Sequence, residues 1–252
     1  MRVALFVPCY VDQLRPSVGS ATVDLLEARG IEVEFPSEQT CCGQPFASAG
    51  ARNQAAALAR RHLEIFGGAD AVVCPSGSCV ATVRHRYRDL LGDSPELAAL
   101  SERTYEVCEF LVGSHGSPAF EGRFPHVVGL HASCHALRQL GQGSGTERVA
   151  APRPDPARSL LARLEGLTFA DLTRTDECCG FGGVFAVDES AVSAAMGEDR
   201  VEDHLRAGAE VVASTDVSCL MHLEGLARRQ RRDLRFLHVV EVLAEAMRGD
   251  AA

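Results

Sequence analysis

Lysine is absent from this sequence, so all 25 of its basic residues are arginine. Without a lysine amine the chain has no residue for Schiff-base chemistry with a carbonyl substrate. Long apolar runs are absent too, since none reaches the roughly 18–20 residues that a spanning helix needs. The start of the chain also lacks the features of a signal peptide. We therefore expect a cytoplasmic protein without a transmembrane segment.

Positive charge is in deficit as well. Acidic residues number 34 and the net charge is −9. Proteins that bind nucleic acids usually neutralise phosphates with a surplus of basic residues. The charge balance therefore argues against nucleic acid as a partner.

Cysteine, in contrast, is abundant, with ten residues in the chain. In a reducing compartment, clustered cysteines indicate metal or redox chemistry more often than a disulfide framework. The C-x-x-C pairs typical of structural zinc sites are missing. Instead, a pattern of Cys, then Cys-Cys-Gly, then Cys occurs twice. The first copy is Cys9, Cys41, Cys42 and Cys79, and the second is Cys134, Cys178, Cys179 and Cys219.

This repeat divides the chain into two related cysteine-rich halves, residues 1–113 and 126–252, with residues 114–125 as a connection rich in Gly, Ser and Pro. Both halves alternate apolar strand-like runs with segments of helical spacing. Arg2–Pro8, for example, precedes a predicted helix at Val18–Arg29, and Thr104–Val112 is also predicted to be helical. The alternation predicts an α/β fold of two pseudo-repeated βαβ-type halves with mainly parallel sheets.

Each cysteine group follows a predicted strand. Ligands of parallel α/β sheets bind beyond the C-terminal strand ends, so we expect four thiolates to meet at that edge of each half. The glycine after each cysteine pair permits the sharp turn that directs both sulfurs to one site. Cys79 and Cys219 begin helices, where the helix dipole favours a thiolate.

Thiolates are the usual ligands of iron–sulfur clusters, which is the interpretation we favour. A zinc-stabilised interaction module and a set of redox thiols are the alternatives. Cys74 and Cys108 fall outside the repeat and are interpreted as small core residues, with Cys74 as a candidate fifth ligand. His135 and His222 each lie near a cysteine of the pattern, as hydrogen-bond donors to sulfur or as polar residues at a loop edge.

Five stretches carry a resemblance to a known family. They are Ala4–Cys9, Cys41–Pro45, Pro75–Cys79, Cys178–Gly183 and Cys219–Met221. Over essentially its whole length the chain resembles the lactate utilization protein A family. That family belongs to the cysteine-rich CCG domain proteins, which also include the CCG-containing chain of heterodisulfide reductase and the iron–sulfur subunit of glycolate oxidase.

The resemblance implies an iron–sulfur electron-transfer component of a multisubunit system that oxidises L-lactate to pyruvate. It implies two [4Fe–4S] clusters on the eight cysteines, and partner subunits that include a ferredoxin-like iron–sulfur protein. The chain would then be a subunit of an oxidoreductase rather than an enzyme alone. A glycolate oxidase subunit and a heterodisulfide-reductase-like enzyme acting at a cluster remain alternatives.

One departure bears on the cluster type. The CCG-containing chain of heterodisulfide reductase ends each motif in C-x-x-C and has five cysteines per half, which hold a non-cubane cluster. Here Ser76 and Asp216 occupy the first position of that pair. Four cysteines per half suit one ordinary [4Fe–4S] cluster.

Overall fold

The protein is described by a computed structural model that covers residues 2–113, 120–147 and 151–249. Residues 114–119 of the predicted connection lie outside this described part. Within these ranges the structure has eight strands, β1 (Arg2–Leu5), β2 (Glu32–Glu34), β3 (Val72–Cys74), β4 (Thr104–Glu106), β5 (Val127–Leu130), β6 (Thr168–Phe169), β7 (Val211–Ser214) and β8 (Arg235–His238).

Helices connect the strands in both halves. The first half contains α1 (Cys9–Leu14), α2 (Pro16–Glu27), α3 (Gln44–Ser48), α4 (Arg52–Phe66), α5 (Gly77–Ala81), α6 (Tyr87–Leu91), α7 (Pro95–Arg103) and α8 (Val107–Gly113). The second contains α9 (Pro156–Leu161), α10 (Phe185–Asp188), α11 (Ser190–Arg206), α12 (Val217–Arg229) and α13 (Val239–Gly249). Two π-helical turns, Thr82–Arg86 and His135–Gln139, complete the helical segments of the described chain.

The strands form two four-stranded sheets in which every pair of neighbouring strands is parallel. Their orders are β2-β1-β3-β4 and β6-β5-β7-β8, so the second half repeats the topology of the first. In each sheet the chain reverses its direction of winding beside the first strand, between β1 and β3 and between β5 and β7. Such a switch point opens a crevice at the C-terminal strand ends. The predicted α/β fold of two parallel-sheet halves is confirmed.

One apolar core joins the two halves. A single cluster of buried side chains contains Leu25 and Phe110 from the first half and Leu160 and Val240 from the second. Within it α2 packs on α13 and α8 packs on α9. The end of the connection belongs to this core, because Phe120 and Phe124 are also buried there. Burial of this apolar surface stabilises the halves as one body.

The sequence-based assignment was wrong at Thr104–Val112, which is not one helix. Thr104–Glu106 forms the edge strand β4, paired with β3, and the helix begins only at Val107. The carboxylate of Glu106 accepts the backbone N–H groups of Cys108 and Glu109, which fixes the start of α8. No described helix has both the length and the apolar character to cross a membrane.

Candidate metal centres

The cysteines of the first half lie together at the C-terminal end of their sheet. Cys9 begins α1 after β1, the Cys41–Cys42 pair follows β2, and Cys79 lies in the first turn of α5 after β3. The Sγ atoms of Cys9 and Cys41 are 3.6 Å apart, and those of Cys42 and Cys79 are 3.3 Å apart. The topology thus brings four sulfurs that are distant in sequence to both sides of one switch point.

The second half repeats this arrangement. Cys134 follows β5, Cys178 and Cys179 follow β6, and Cys219 lies in the first turn of α12 after β7. The side chain of Cys178 contacts those of Cys134 and Cys179, and Cys179 also contacts Cys219. All eight cysteines of the sequence pattern therefore form two sets of four.

The glycine of each Cys-Cys-Gly motif has two functions. Gly43 and Gly180 have φ values of 84° and 87°, a left-handed conformation that disfavours a side chain. The turn also directs each glycine N–H to the sulfur of the first cysteine of the pair, at 3.4 Å from Cys41 and 3.4 Å from Cys178. The motif therefore positions both sulfurs and donates a hydrogen bond to one of them.

These contacts favour a thiolate at the first cysteine of each pair. Hydrogen bonds from the thiols of Cys42 and Cys9, with the Gly43 N–H, lower the pKa of Cys41 to about 3. Contacts with Cys134 and Cys179, with the Gly180 N–H, lower the pKa of Cys178 to about 2.

The cysteines that contact these thiolates have raised pKa values and stay protonated. The pKa of Cys9 is raised, first because its thiol donates a hydrogen bond to Cys41 and then by burial. The pKa of Cys134 is raised in the same way by its contact with Cys178. A set in which thiols share protons with thiolates releases those protons when a metal binds.

Both sets line one cavity. Cys9, Cys42 and Cys79 contribute to its wall from the first half, and Cys134, Cys178, Cys179 and Cys219 contribute from the second. It contains about 890 Å³ of space without protein atoms, part of it open to solvent. Cysteines of both halves therefore border the same space.

A buried carboxylate lies where the two halves meet in this cavity. Asp216, which is 1% exposed, accepts hydrogen bonds from the hydroxyls of Ser76 and Ser78, both at 2.7 Å, and from the Ser78 N–H at 3.1 Å. It also accepts the hydroxyl of Ser133. Ser76 and Asp216 are thus hydrogen-bonded partners between the two cysteine sets.

The two cysteines outside the repeat are both fully buried. Cys108 lies in the core shared by the halves, as predicted. Cys74 ends β3, and its thiol is a hydrogen-bond partner of Cys79. It therefore contacts a cysteine of the first set but does not line the cavity.

Two histidines that the sequence places near cysteines differ in their contacts. The Nδ1 atom of His135 is 3.6 Å from Cys134 Sγ, and its Nε2 atom is 3.0 Å from Gln44 of the other half. His222 instead contacts the carbonyl oxygen of Ser193 through Nε2, at 3.2 Å. His135 therefore has the geometry of a hydrogen-bond donor to the Cys134 sulfur, whereas His222 bonds to the backbone of α11.

His131 was not predicted as a site residue from the sequence. A ring nitrogen of His131 and the sulfurs of Cys179 and Cys219 all lie within 4.8 Å of one another. A comparison of the two halves marks this position. His131 lies three residues before Cys134, whereas Phe6 lies three residues before Cys9.

Thiolates arranged in this way are ligands for soft metals and for iron–sulfur clusters. The fold and the site define a duplicated α/β protein with one cysteine-rich centre at the strand ends of each half. The family model of the cysteine-rich CCG domain matches residues 3–84 and 128–224. The chain belongs to this family, and within it to the group of the lactate utilization A proteins.

Two curated relatives illustrate the similarity. Lactate utilization protein A of Exiguobacterium sp. is 41% identical over 251 residues, which cover 98% of each chain. The protein of that name from Macrococcus caseolyticus is 38% identical over 96% of each chain.

The fold also has a solved counterpart. A crystal structure of a hypothetical protein from Helicobacter pylori matches 98% of this chain with a TM-score of 0.68 and 10% sequence identity. The match covers 49% of that protein, so this chain spans about half its length.

Proposed function

We propose that this protein is an iron–sulfur electron-transfer subunit of a multisubunit system that oxidises L-lactate. One observation supports the electron-transfer part, namely that seven of the eight cysteines line a single cavity and the eighth, Cys41, contacts Cys9 beside it. The lactate part rests on the relatives, which are named lactate utilization protein A. The other subunits, including a ferredoxin-like iron–sulfur protein, would be the partners.

In this proposal each half holds one [4Fe–4S] cluster. Cys9, Cys41, Cys42 and Cys79 are the ligands of the first centre. Cys134, Cys178, Cys179 and Cys219 are the ligands of the second. A cluster of this kind supplies reversible electron transfer when bound.

The protein contributes the environment of the sulfurs. The N–H groups of Gly43 and Gly180 donate to ligand sulfurs, and such hydrogen bonds tune reduction potentials. Burial of Cys42 and Cys179, at 2% and 3% exposed, limits contact with water. A shared cavity keeps both centres on the same side of the molecule, where one partner subunit has access to both.

The first test is the iron and acid-labile sulfide content of the chain after anaerobic purification. We expect about eight of each per chain and the broad brown absorption of clusters. Cys42→Ser and Cys179→Ser should each remove about half of the iron. Cys108→Ser is the matched control, because its thiol lies in the core away from the cavity, and it should keep the full content.

A chain that binds no iron after reconstitution, but one or two zinc ions, would replace this proposal with the zinc-stabilised module. Iron unchanged in both variants would disprove the ligand assignment. For the physiological role, a strain without this chain should lose growth on L-lactate, with recovery from the wild-type gene and not from Cys42→Ser. Loss of growth on glycolate instead would identify the glycolate system.

A further inference from the structure

The two centres differ in the residue behind their cysteines. Phe6 and His131 occupy equivalent positions, and each donates its backbone N–H across the switch point of its sheet. Phe6 bonds to Val73 at 2.9 Å, and His131 bonds to Ala213 at 2.8 Å. The backbone is thus the same in both halves, while an apolar ring in one is an imidazole in the other.

Phe6 has ordinary apolar surroundings. Its ring packs edge-on against His62 at 4.6 Å and Phe66 at 5.5 Å between centroids. Edge-to-face contacts of this kind are favourable for a phenyl ring, which has no polar atom that needs a partner. The first half therefore has an aromatic layer behind its cysteines.

His131 is 1% exposed, and neither of its ring nitrogens has a hydrogen-bond partner among the described residues. A polar group buried at such depth without a partner retains the full cost of its desolvation. The nearby groups that could face it from the packed helix are His204, with ring centroids 6.3 Å apart, and Arg200. Neither bonds to it.

The surroundings also keep the imidazole in place. His204 occupies the space above Gly129, where a Cβ atom would lie 2.2 Å from its Nδ1 atom. Gly129 and His131 lie on either side of Leu130, the last residue of β5, and the pairing with β7 continues to His131, so the two residues share one face of the sheet. The ring of His131 is left with the sulfurs of Cys179 and Cys219 as neighbours, within 4.8 Å.

We propose that His131 contributes a ring nitrogen to the second metal centre, a contact that the first centre lacks, so that the two centres are chemically different. This inference rests on the proposed function and deepens it. A bond to the metal or to a sulfur would give a partner to an imidazole whose two buried ring nitrogens both lack one and which lies within 4.8 Å of two cysteine sulfurs. Histidine at an iron–sulfur centre raises its reduction potential, as does an N–H bond to sulfur.

The test isolates each centre in the full-length chain. Cys42→Ser should leave only the second centre, and Cys179→Ser should leave only the first. Electron-spin-echo spectroscopy of the reduced protein reports nitrogen coupled to the cluster. We expect histidine coupling in the Cys42→Ser chain and none in the Cys179→Ser chain. Growth with ¹⁵N-histidine should change the coupling, and this readout needs no substitution of His131.

His131→Phe in the Cys42→Ser chain reproduces the residue of the first half. It should abolish the coupling and lower the potential of the second centre, while His135→Phe should leave the coupling in place. Strong coupling would identify a metal ligand, and weak coupling a hydrogen bond to sulfur. Coupling that persists in His131→Phe, disappears in His135→Phe, or is absent from a chain loaded with iron would overturn the inference alone. A chain without iron would overturn the proposed function as well.

Discussion

At the scale of single residues, the Cys-Cys-Gly motif shows how a backbone conformation prepares a site. Two adjacent side chains in an extended segment point in opposite directions, and only a sharp turn brings both to one ligand. The grouping of the eight cysteines and this turn could be predicted from the sequence because the pattern occurs twice, and the role of the cysteines as ligands stays a prediction. His131 was missed because a lone histidine after a strand resembles a core residue; the comparison with Phe6 marks the position, and only the unsatisfied ring nitrogens give it meaning.

Replacement of the motif glycines by alanine should lower the free energy of unfolding, and by different amounts at Gly43 and Gly180. The left-handed conformation alone costs about 1–2 kcal/mol with a side chain. At Gly180 a Cβ atom would also lie 2.6 Å from the Ser193 carbonyl oxygen, whereas at Gly43 the nearest contact is 3.2 Å. We expect Gly180→Ala to lower the free energy of unfolding most, measured by urea denaturation.

Gly208→Ala is the matched control for that series. Gly208 has φ of 72°, and a Cβ atom added there would meet no other atom within 4 Å, so only the conformational cost applies. Gly43→Ala should fall between the two. Iron content should fall with Gly180→Ala and Gly43→Ala and stay unchanged with Gly208→Ala, and equal losses in all three would refute this account of the motif.

His62 gives a prediction for pH. Burial against Phe6, Phe66 and Tyr87 lowers its pKa from 6.5 to about 3. The folded state therefore holds it neutral, so its contribution to stability is present above pH 6.5 and is lost as the pH falls towards 3. Between pH 7 and pH 5 this loss is about 2 kcal/mol. His62→Phe should reduce the pH dependence of unfolding by that amount, and an unchanged slope would contradict it.

At the scale of elements, most strands and long helices follow from local periodicity. The exceptions have identifiable causes. Thr104–Val112 has the composition of a helix, but pairing with β3 makes its first three residues a strand. The matching segment of the second half forms the strand β8 (Arg235–His238), so the first half repeats the order of the second at this point. Tertiary pairing overrides propensity most readily in segments this short.

The start of α8 depends on Glu106. This buried carboxylate accepts the N–H of Cys108 at 2.8 Å and of Glu109 at 3.2 Å. Glu106→Ala leaves both donors unpaired and should lower the free energy of unfolding by about 1–3 kcal/mol. Glu106→Gln keeps an acceptor oxygen and should lose much less in the same urea titration. Similar losses in both variants would mean that packing, rather than the cap, sets the effect.

At the scale of the whole molecule, the sequence predicted two halves but not how they associate. Repeats and periodicity are local signals, and they carry no information on which helix faces pack together. The structure adds the shared core of α2 on α13 and α8 on α9, and the single cavity for both cysteine sets. The domain boundaries at 113 and 126 stay a prediction, and the burial of Phe120 and Phe124 joins part of the connection to the common core.

Asp216 is the polar counterpart of that core, since it joins Ser76 and Ser78 of the first half to Ser133 of the second. Four donors lose their acceptor in Asp216→Ala, and we expect about 3 kcal/mol or more of lost stability, because buried unpaired donors retain their desolvation cost. Asp216→Asn keeps one oxygen and should lose less. Both variants should lower the iron bound by the two centres together, since the network lies between them.

A double-mutant cycle separates this junction from general destabilisation. Ser78→Ala removes one donor to Asp216, while Ser218→Ala alters the equivalent position of the second half, outside the network. Ser78→Ala and Asp216→Ala should show a coupling energy of about 1–3 kcal/mol in urea unfolding, because both remove the bond from the Ser78 hydroxyl. Ser218→Ala removes no hydrogen bond of Asp216, so this pair should show a smaller coupling energy than the Ser78 pair. If the Ser78 pair is additive as well, the apolar core alone holds the halves together. Asp216 would then affect the cavity and not the stability of the fold.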